Sequence, residues 1–189
     1  DRVLAIAHGE DQNLVIEGFT IQNGRSTQRG GAVLIANASP VLRNLVLVDC
    51  GSVDQGGAVY VEGGSPLFHG VTFSNCDAYA SGGAVAISGS TGTVFQSCTF
   101  AGNRALGLPS NGGAVALRQA RGGFIGCFFH NNLADGAGGA LALNASSGTV
   151  TRCSFASNQA AAGGALSATQ SSANVAASIV WNNASPPLQ

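Results

Sequence analysis

The sequence predicts an all-β fold, a right-handed parallel β-helix of about seven coils, each built from three short strands. Three observations carry this expectation: a repeat period near 26 residues, apolar columns two residues apart within it, and glycine pairs at constant phase. Gly-Gly-Ala followed by Val or Leu begins at Gly30, Gly56, Gly82, Gly112, Gly138 and Gly163, in steps of 26, 26, 30, 26 and 25 residues. Self-similarity of this length marks units that cannot bury an apolar face alone and must stack.

Each repeat opens with the glycine pair, where the chain needs positive φ or a close backbone approach. The first strand follows, with inward columns beginning at Val33, Val59 and Val85 and, two residues on, at Ile35, Val61 and Ile87. A second strand carries the column Leu42, Phe68, Phe95, Phe124 and Val150. A third carries Leu45, Val71, Cys98, Cys127 and Cys153 and then Leu47, Phe73, Phe100, Phe129 and Phe155. Spacing of two is strand periodicity, and the segments are too short and too rich in Gly, Thr and Val for helices. One coil is expected to have strands near 58–61, 66–68 and 71–73, joined by Gly, Ser, Pro and Asn turns. A constant period sets like residue over like residue, which demands parallel in-register stacking. Parallel crossovers are right-handed. Seven rungs of about 4.8 Å give a rod a little over ~30 Å long.

Composition narrows the function. Charged residues make up 9% of the 189, Lys is absent, and eight Arg stand against six Asp and three Glu for a net charge of -1. With no basic run, nucleic acid is not an expected partner. No apolar stretch of about 18 residues exists, so no helical membrane span is expected. The five Cys form no C-x-x-C and no zinc spacing, so neither metal nor cofactor is expected. The chain has no Met and opens on Asp1-Arg2-Val3-Leu4, which reads as the interior of a larger protein. Residues 1–185 read as a single β-helix segment, and Pro186-Pro187 begins a linker over 186–189.

A second motif runs in fixed phase with the glycines: Phe100-Ala101-Gly102-Asn103, Phe129-His130-Asn131-Asn132 and Phe155-Ala156-Ser157-Asn158. Together, Gly-Gly-Ala-Val/Leu and Phe-x-x-Asn resemble the repeat of the polymorphic outer membrane protein (Pmp) family, a right-handed β-helix of pectin-lyase-like architecture. The stretch from Ser178 to Asn183 resembles the closing coil of similar bacterial proteins. The resemblance covers nearly the whole chain and implies a cell-surface or secreted passenger, adhesin or stalk. Gly24, Cys50 and Cys76 depart from the pattern where Asn is expected.

The candidate sites follow from the columns. Asn103, Asn132, Asn158 and Asn183 should stack at one corner as a structural amide ladder, each tolerating a left-handed turn. Cys98, Cys127 and Cys153 are expected to act as small inward hydrophobes. Cys50 and Cys76 stand one coil apart at a corner; rung spacing permits a disulfide and parallel Cβ directions oppose it. The turn Arg104 to Asn111 has eight residues where the others have four or five, and Arg104, Leu106, Leu108 and Pro109 form a candidate interaction loop. Asp49, Asp54 and Asp77 occupy adjacent turns, where carboxylates can gather around Ca²⁺ or do acid-base work. Glu17 and Arg43 are placed to pair across one rung, and Phe128, Ile179 and Trp181 fall on outward positions. Asn144-Ala145-Ser146 is a candidate glycosylation sequon.

No enzyme is expected: Lys is absent, His8, His69 and His130 are scattered, and no carboxylate pair recurs on one strand face. The leading expectation is an extracellular structural or adhesive segment of a large surface protein, presenting loops to proteins or glycans. The expected partners are other domains of the same protein, surface proteins or glycans, or neighbouring subunits end to end. The alternatives are a carbohydrate-active β-helix of the polysaccharide lyase or hydrolase kind, or a subunit of a surface filament.

Overall fold

The computed structural model of the chain describes residues 1–185; the linker assigned to 186–189 lies outside them. Every element of regular structure among the described residues is a strand. The strands form four parallel sheets, three of seven strands and one of six, in which each strand pairs with its equivalents one coil before and one coil after. In one coil these are Val59–Glu62, Leu67–His69, Thr72–Ser74 and Asp77–Ala78. The first three match the expected strands to within one residue.

The fourth sheet corrects the expectation of three strands per coil. Its members include Gly51–Ser52, Asp77–Ala78 and Arg104–Ala105, only two residues each. A two-residue strand shows no periodicity, and its one inward column is Ser52, Ala78, Ala105, Ala134 and Ala160. Ala105, Ala134 and Ala160 form a small apolar cluster separate from the main core. The coil is therefore a large lobe bounded by three sheets and a narrow side lobe closed by the fourth.

The glycine pair sits at the pinch between the lobes, and its two members have different tasks. The first glycine of each pair has φ between 61° and 69°. The second approaches backbone: a Cβ on Gly57 would collide with the carbonyl oxygens of Gly83 and Asp77, and one on Gly83 with Gly113 O and the backbone of Arg104. No side chain fits where three backbone segments meet.

The main core contains two columns of phenylalanine rings held at the rung spacing beside Val, Leu, Ile and Cys columns. Phe68, Phe95 and Phe124 stack with centroids 4.7 and 5.1 Å apart, and Phe73, Phe100, Phe129 and Phe155 at 4.8, 4.6 and 4.7 Å, all within 8° of parallel. Face-to-face stacking is not the ring quadrupole's preferred geometry. Across the coil, however, the columns meet edge to face, Phe95 on Phe100 at 5.6 Å and 65°, and Phe124 on Phe129 at 5.8 Å and 66°. In-register parallel pairing imposes the stack, and the facing column restores the favoured contact.

Substitution at Gly83 should separate close approach from backbone strain. Gly83→Ala should lower stability by about 3 kcal/mol through overpacking. Gly89→Ala, at φ 64° with nothing within 4 Å of its Cβ, should cost only about 1 kcal/mol. Denaturant titration followed by circular dichroism reads both, and equal losses would contradict the pinch.

Candidate functional site

Each coil turns at left-handed residues, and the side chain that follows such a corner reaches along the stack. At the corner between the third and fourth sheets the left-handed residues are Gly102, Asn131, Ser157 and Asn182, with φ of 65°, 56°, 55° and 50°. Asn103, Asn132, Asn158 and Asn183 come one residue later and have no positive φ, which corrects the expectation that the ladder asparagines make the turn. Their side chains are free for another task. The Oδ1 of Asn132 accepts both the backbone N–H and the Nδ2 of Asn103, each at 3.0 Å, while its own Nδ2 donates to Phe100 O and Asn158 Oδ1. The same pattern joins Asn158 to Asn183. Each amide thus satisfies the corner N–H of the coil before it.

Cysteine does part of this work where Asn is missing. Cys50 and Cys76 continue the column, and their Sγ atoms lie 3.7 Å from Ile21 O and Leu47 O, the carbonyls that correspond to the ladder's Phe acceptors. Cys76 N–H in turn donates to Asn103 Oδ1 at 3.0 Å. At the preceding corner of the coil, between the second and third sheets, Cys127 N–H donates to Cys153 Sγ, and Cys153 N–H to Ser178 Oγ. All five cysteines are unbridged and buried. Hydrogen bonding to Cys50, together with burial, pushes the Cys76 thiol up, and Cys127 with burial does the same to Cys153. Cys76 and Cys153 thus stay protonated, whereas the hydrogen bond from Cys76 lowers Cys50 to about 7 and the one from Cys127 lowers Cys98, so one thiol of each linked set is favoured as the acceptor.

Three carboxylates are tied to arginines on other coils. Glu17 and Arg43 pair at 2.6 Å across one rung, and Arg29 Nε meets Asp54 Oδ2 at 3.0 Å. Arg43 holds the Glu17 carboxyl below its ordinary range. Arg29 also donates to Tyr60 Oη at 3.0 Å, with its guanidinium 4.9 Å from the ring centroid. Arg25 reaches Asp77 at 2.9 Å, two coils away, because Gly51 between them has no side chain. Asp54 and Asp77 are therefore clamped to separate cations instead of converging with Asp49, and among the described residues no group of three potential metal ligands occurs.

In the long turn, Arg104 and Ala105 extend the fourth sheet, so the projecting loop is shorter than eight residues. Arg104, Leu108 and Pro109 are exposed, Leu108 by 82%. Leu106 is half-buried with its N–H bonded to Ala78 O, and Ser110 Oγ fastens the loop by donating to Ala105 O at 2.8 Å. Pro109 stands beside a groove of about 340 Å³ over the outer face of the first sheet, with Ala86, Ala116 and Ala142 as floor. Asn144 lies on its far side and is exposed, while Ser146 of the sequon is 8% exposed and its hydroxyl donates to Asn144 O at 2.7 Å. Phe128, Ile179 and Trp181 are exposed by 41%, 66% and 68%; Phe128 stacks on His130 at 4.6 Å.

A further groove of about 850 Å³ follows the corner between the first and second sheets, lined by residues including Gln119, Arg121, Ser147 and Ser172. Sequence reasoning did not single these out. Counting charge along the chain, instead of over the whole of it, is the signal that points to Arg121 here and to Arg118 in the groove over the first sheet.

Asn132→Ala removes an acceptor and a donor from a buried corner and leaves Asn103 N–H unpartnered. A loss of about 3 kcal/mol in a denaturant melt is expected. For the thiols, iodoacetamide under denaturing conditions without reductant should add five labels by intact mass; three would reveal a bridge.

The fold and corner chemistry have a counterpart among known families. No curated protein and no solved structure matches the chain. The family described as the right handed beta helix region matches residues 57–186, well over half of the sequence. The corner ladders, stacked core and parallel sheets are those of a right-handed β-helix, and the chain belongs to that family.

Proposed function

We propose that this chain is a non-enzymatic, rigid β-helix segment of a large extracellular or cell-surface protein, similar in role to Pmp-type passengers, that holds surface features at fixed spacing for protein or glycan contact. One observation carries the reading: Glu17, Asp54, Asp77, the buried asparagines and the cysteines are used in holding one coil to the next. Asp54, Asp77 and Glu17 are bound to arginines one or two coils away. The buried asparagines and cysteines spend their hydrogen-bonding capacity on neighbouring corners. A carboxylate tied to a guanidinium is a poor proton donor, because the pair favours the ionised form.

Such a rod presents what projects from it. The loop at Leu108 and Pro109 is the longest departure from the repeat, and the Phe128/His130 and Trp181 patch lies on a different face. The carbohydrate-active alternative finds its support in the axial groove over Ala86, Ala116 and Ala142, which has room for an extended chain.

Incubation with a panel of soluble polysaccharides distinguishes the two readings. No increase in reducing ends or unsaturated products is expected over a day, and steady product release would overturn the non-enzymatic reading. On an array of glycans and extracellular matrix proteins, deleting Leu106 to Leu108 should reduce capture several-fold with the melting temperature preserved. Unchanged capture would remove the loop from the contact surface.

A further inference from the structure

We infer that the outer face of the third sheet is a self-recognition surface, on which a second copy of the chain packs face to face with its rod axis reversed. The face is two columns of seven side chains, fixed in register from Thr20 and Gln22 in the first coil to Ile179 and Trp181 in the seventh. No carboxylate and no guanidinium stands on it. Every other sheet turns charge outward: Glu62 and Arg118 on the first, Glu17 and Arg43 on the second, Arg25 and Asp77 on the fourth. The third sheet instead exposes Val46, Phe128, Ile179 and Trp181. Large apolar side chains gathered over one sheet mark a contact surface.

The occupant follows from where the large side chains fall. A two-fold axis along the strand of the fourth coil, Thr99–Ala101, lays the fifth coil of one copy on the third of the other, the sixth on the second and the seventh on the first. Phe128 and His130 then meet Thr72 and Ser74 of the second copy. Val46 and Val48 meet Ser154 and Ala156, the low row between the two bulky ones. Ile179 and Trp181 meet Thr20 and Gln22, and the small pair Thr99 and Ala101 meets itself. Large faces small in each row, so the two sheets keep one even separation of about 10 Å. Parallel rods would set Phe128 against His130 and Ile179 against Trp181, and leave voids over the low rows. The surface is therefore self-complementary only with one rod reversed, which gives a closed dimer.

Charge favours the same arrangement. Residues 1–80 carry four Arg against eight carboxylates, a net of -4, whereas residues 81–189 carry four Arg against the single carboxylate of Asp135, a net of +3. In the first part Arg25, Arg29 and Arg43 are already in ion pairs; in the second Arg104, Arg118, Arg121 and Arg152 have none among the described residues. Reversing one rod sets the acidic part of each copy beside the basic part of the other, while parallel rods would set like beside like. The face measures roughly 30 Å along the axis and about 10 Å across the strands. Two such faces cover less than the ~1,200 Å² at which stable complexes begin, so the dimer is weak and depends on concentration.

Sedimentation velocity from about 10 μM to about 1 mM reads the association. The chain should pass from monomer to dimer over that range and stop there, more weakly as salt is raised. The Phe128→Ser/Trp181→Ser double variant should lose affinity about tenfold or more, while Val53→Ser, an exposed apolar residue outside the third sheet, should stay within about twofold. Matching thermal melts keep folding out of the comparison. Introduced cysteines joined by a bis-maleimide spanning about 10 Å fix the geometry, since the native thiols are buried. Thr99→Cys should link to its own copy, and Ser154→Cys only when mixed with Val46→Cys. The inference is overturned if the chain stays monomeric at about 1 mM, if association runs on past the dimer, if the double variant dimerises like the wild type, or if Ser154→Cys links to itself as readily as to Val46→Cys. A monomer would leave the face to a partner of another kind, with the scaffold reading in place.

Discussion

At every corner of a β-solenoid one backbone amide turns out of the ladder and has to be satisfied from somewhere. An unpartnered buried amide costs about 1–3 kcal/mol, and a coil has several corners, so a rod of this size is not stable unless the debt is settled repeatedly. Here the acceptor comes from the same position one coil later. Asn132 Oδ1 receives Asn103 N–H, Asn103 Oδ1 receives Cys76 N–H, Cys153 Sγ receives Cys127 N–H, and Ser146 Oγ receives Ala120 N–H. The requirement couples coils pairwise and permits only in-register stacking, because a slip of one residue would remove every acceptor at once.

The core and the pinch follow from that register. Once like lies over like, rings of equal size are forced into columns near 4.7 Å, and the only freedom left is which ring faces which across the coil. Two phenylalanine columns meeting at 65° and 66° use that freedom. The glycine pair answers the same constraint on the backbone: one member bends the chain at positive φ, and the other lets three segments meet without a Cβ. Length can change only where no ladder position is lost, which is why Leu106 to Pro109 accommodates extra residues and the strands do not.

The period, the apolar columns and the asparagine stack were legible because each is a repeated side-chain choice. The fourth sheet was not. Gly51–Ser52 and Asp77–Ala78 pack small residues into a narrow lobe, so their burial leaves no hydrophobic signature. The left-handed residue at the ladder corner was placed one position late for a related reason: Gly102, Asn131, Ser157 and Asn182 share only the ability to adopt positive φ, while the conspicuous conservation of type lies in the asparagine that follows. Glu17 and Arg43 were legible as a pair from period alone. The Arg25–Asp77 contact was not, since it skips a coil and depends on Gly51 being bare. The unpaired Arg121 in the corner groove was hidden by a whole-chain charge of -1, which averages an acidic first part with a basic second one.

Native-state hydrogen exchange resolved at single amides, in the wild type and in Asn132→Ala, tests the cross-coil acceptor most directly. If the corner N–H of one coil is held by the side chain of the next, exchange at Asn103 quickens by on the order of tenfold or more in the variant, ahead of the strand amides of Thr99 and Phe100. Unchanged protection at Asn103 with the variant folded would mean that the corner is satisfied without its neighbour, and would contradict the account.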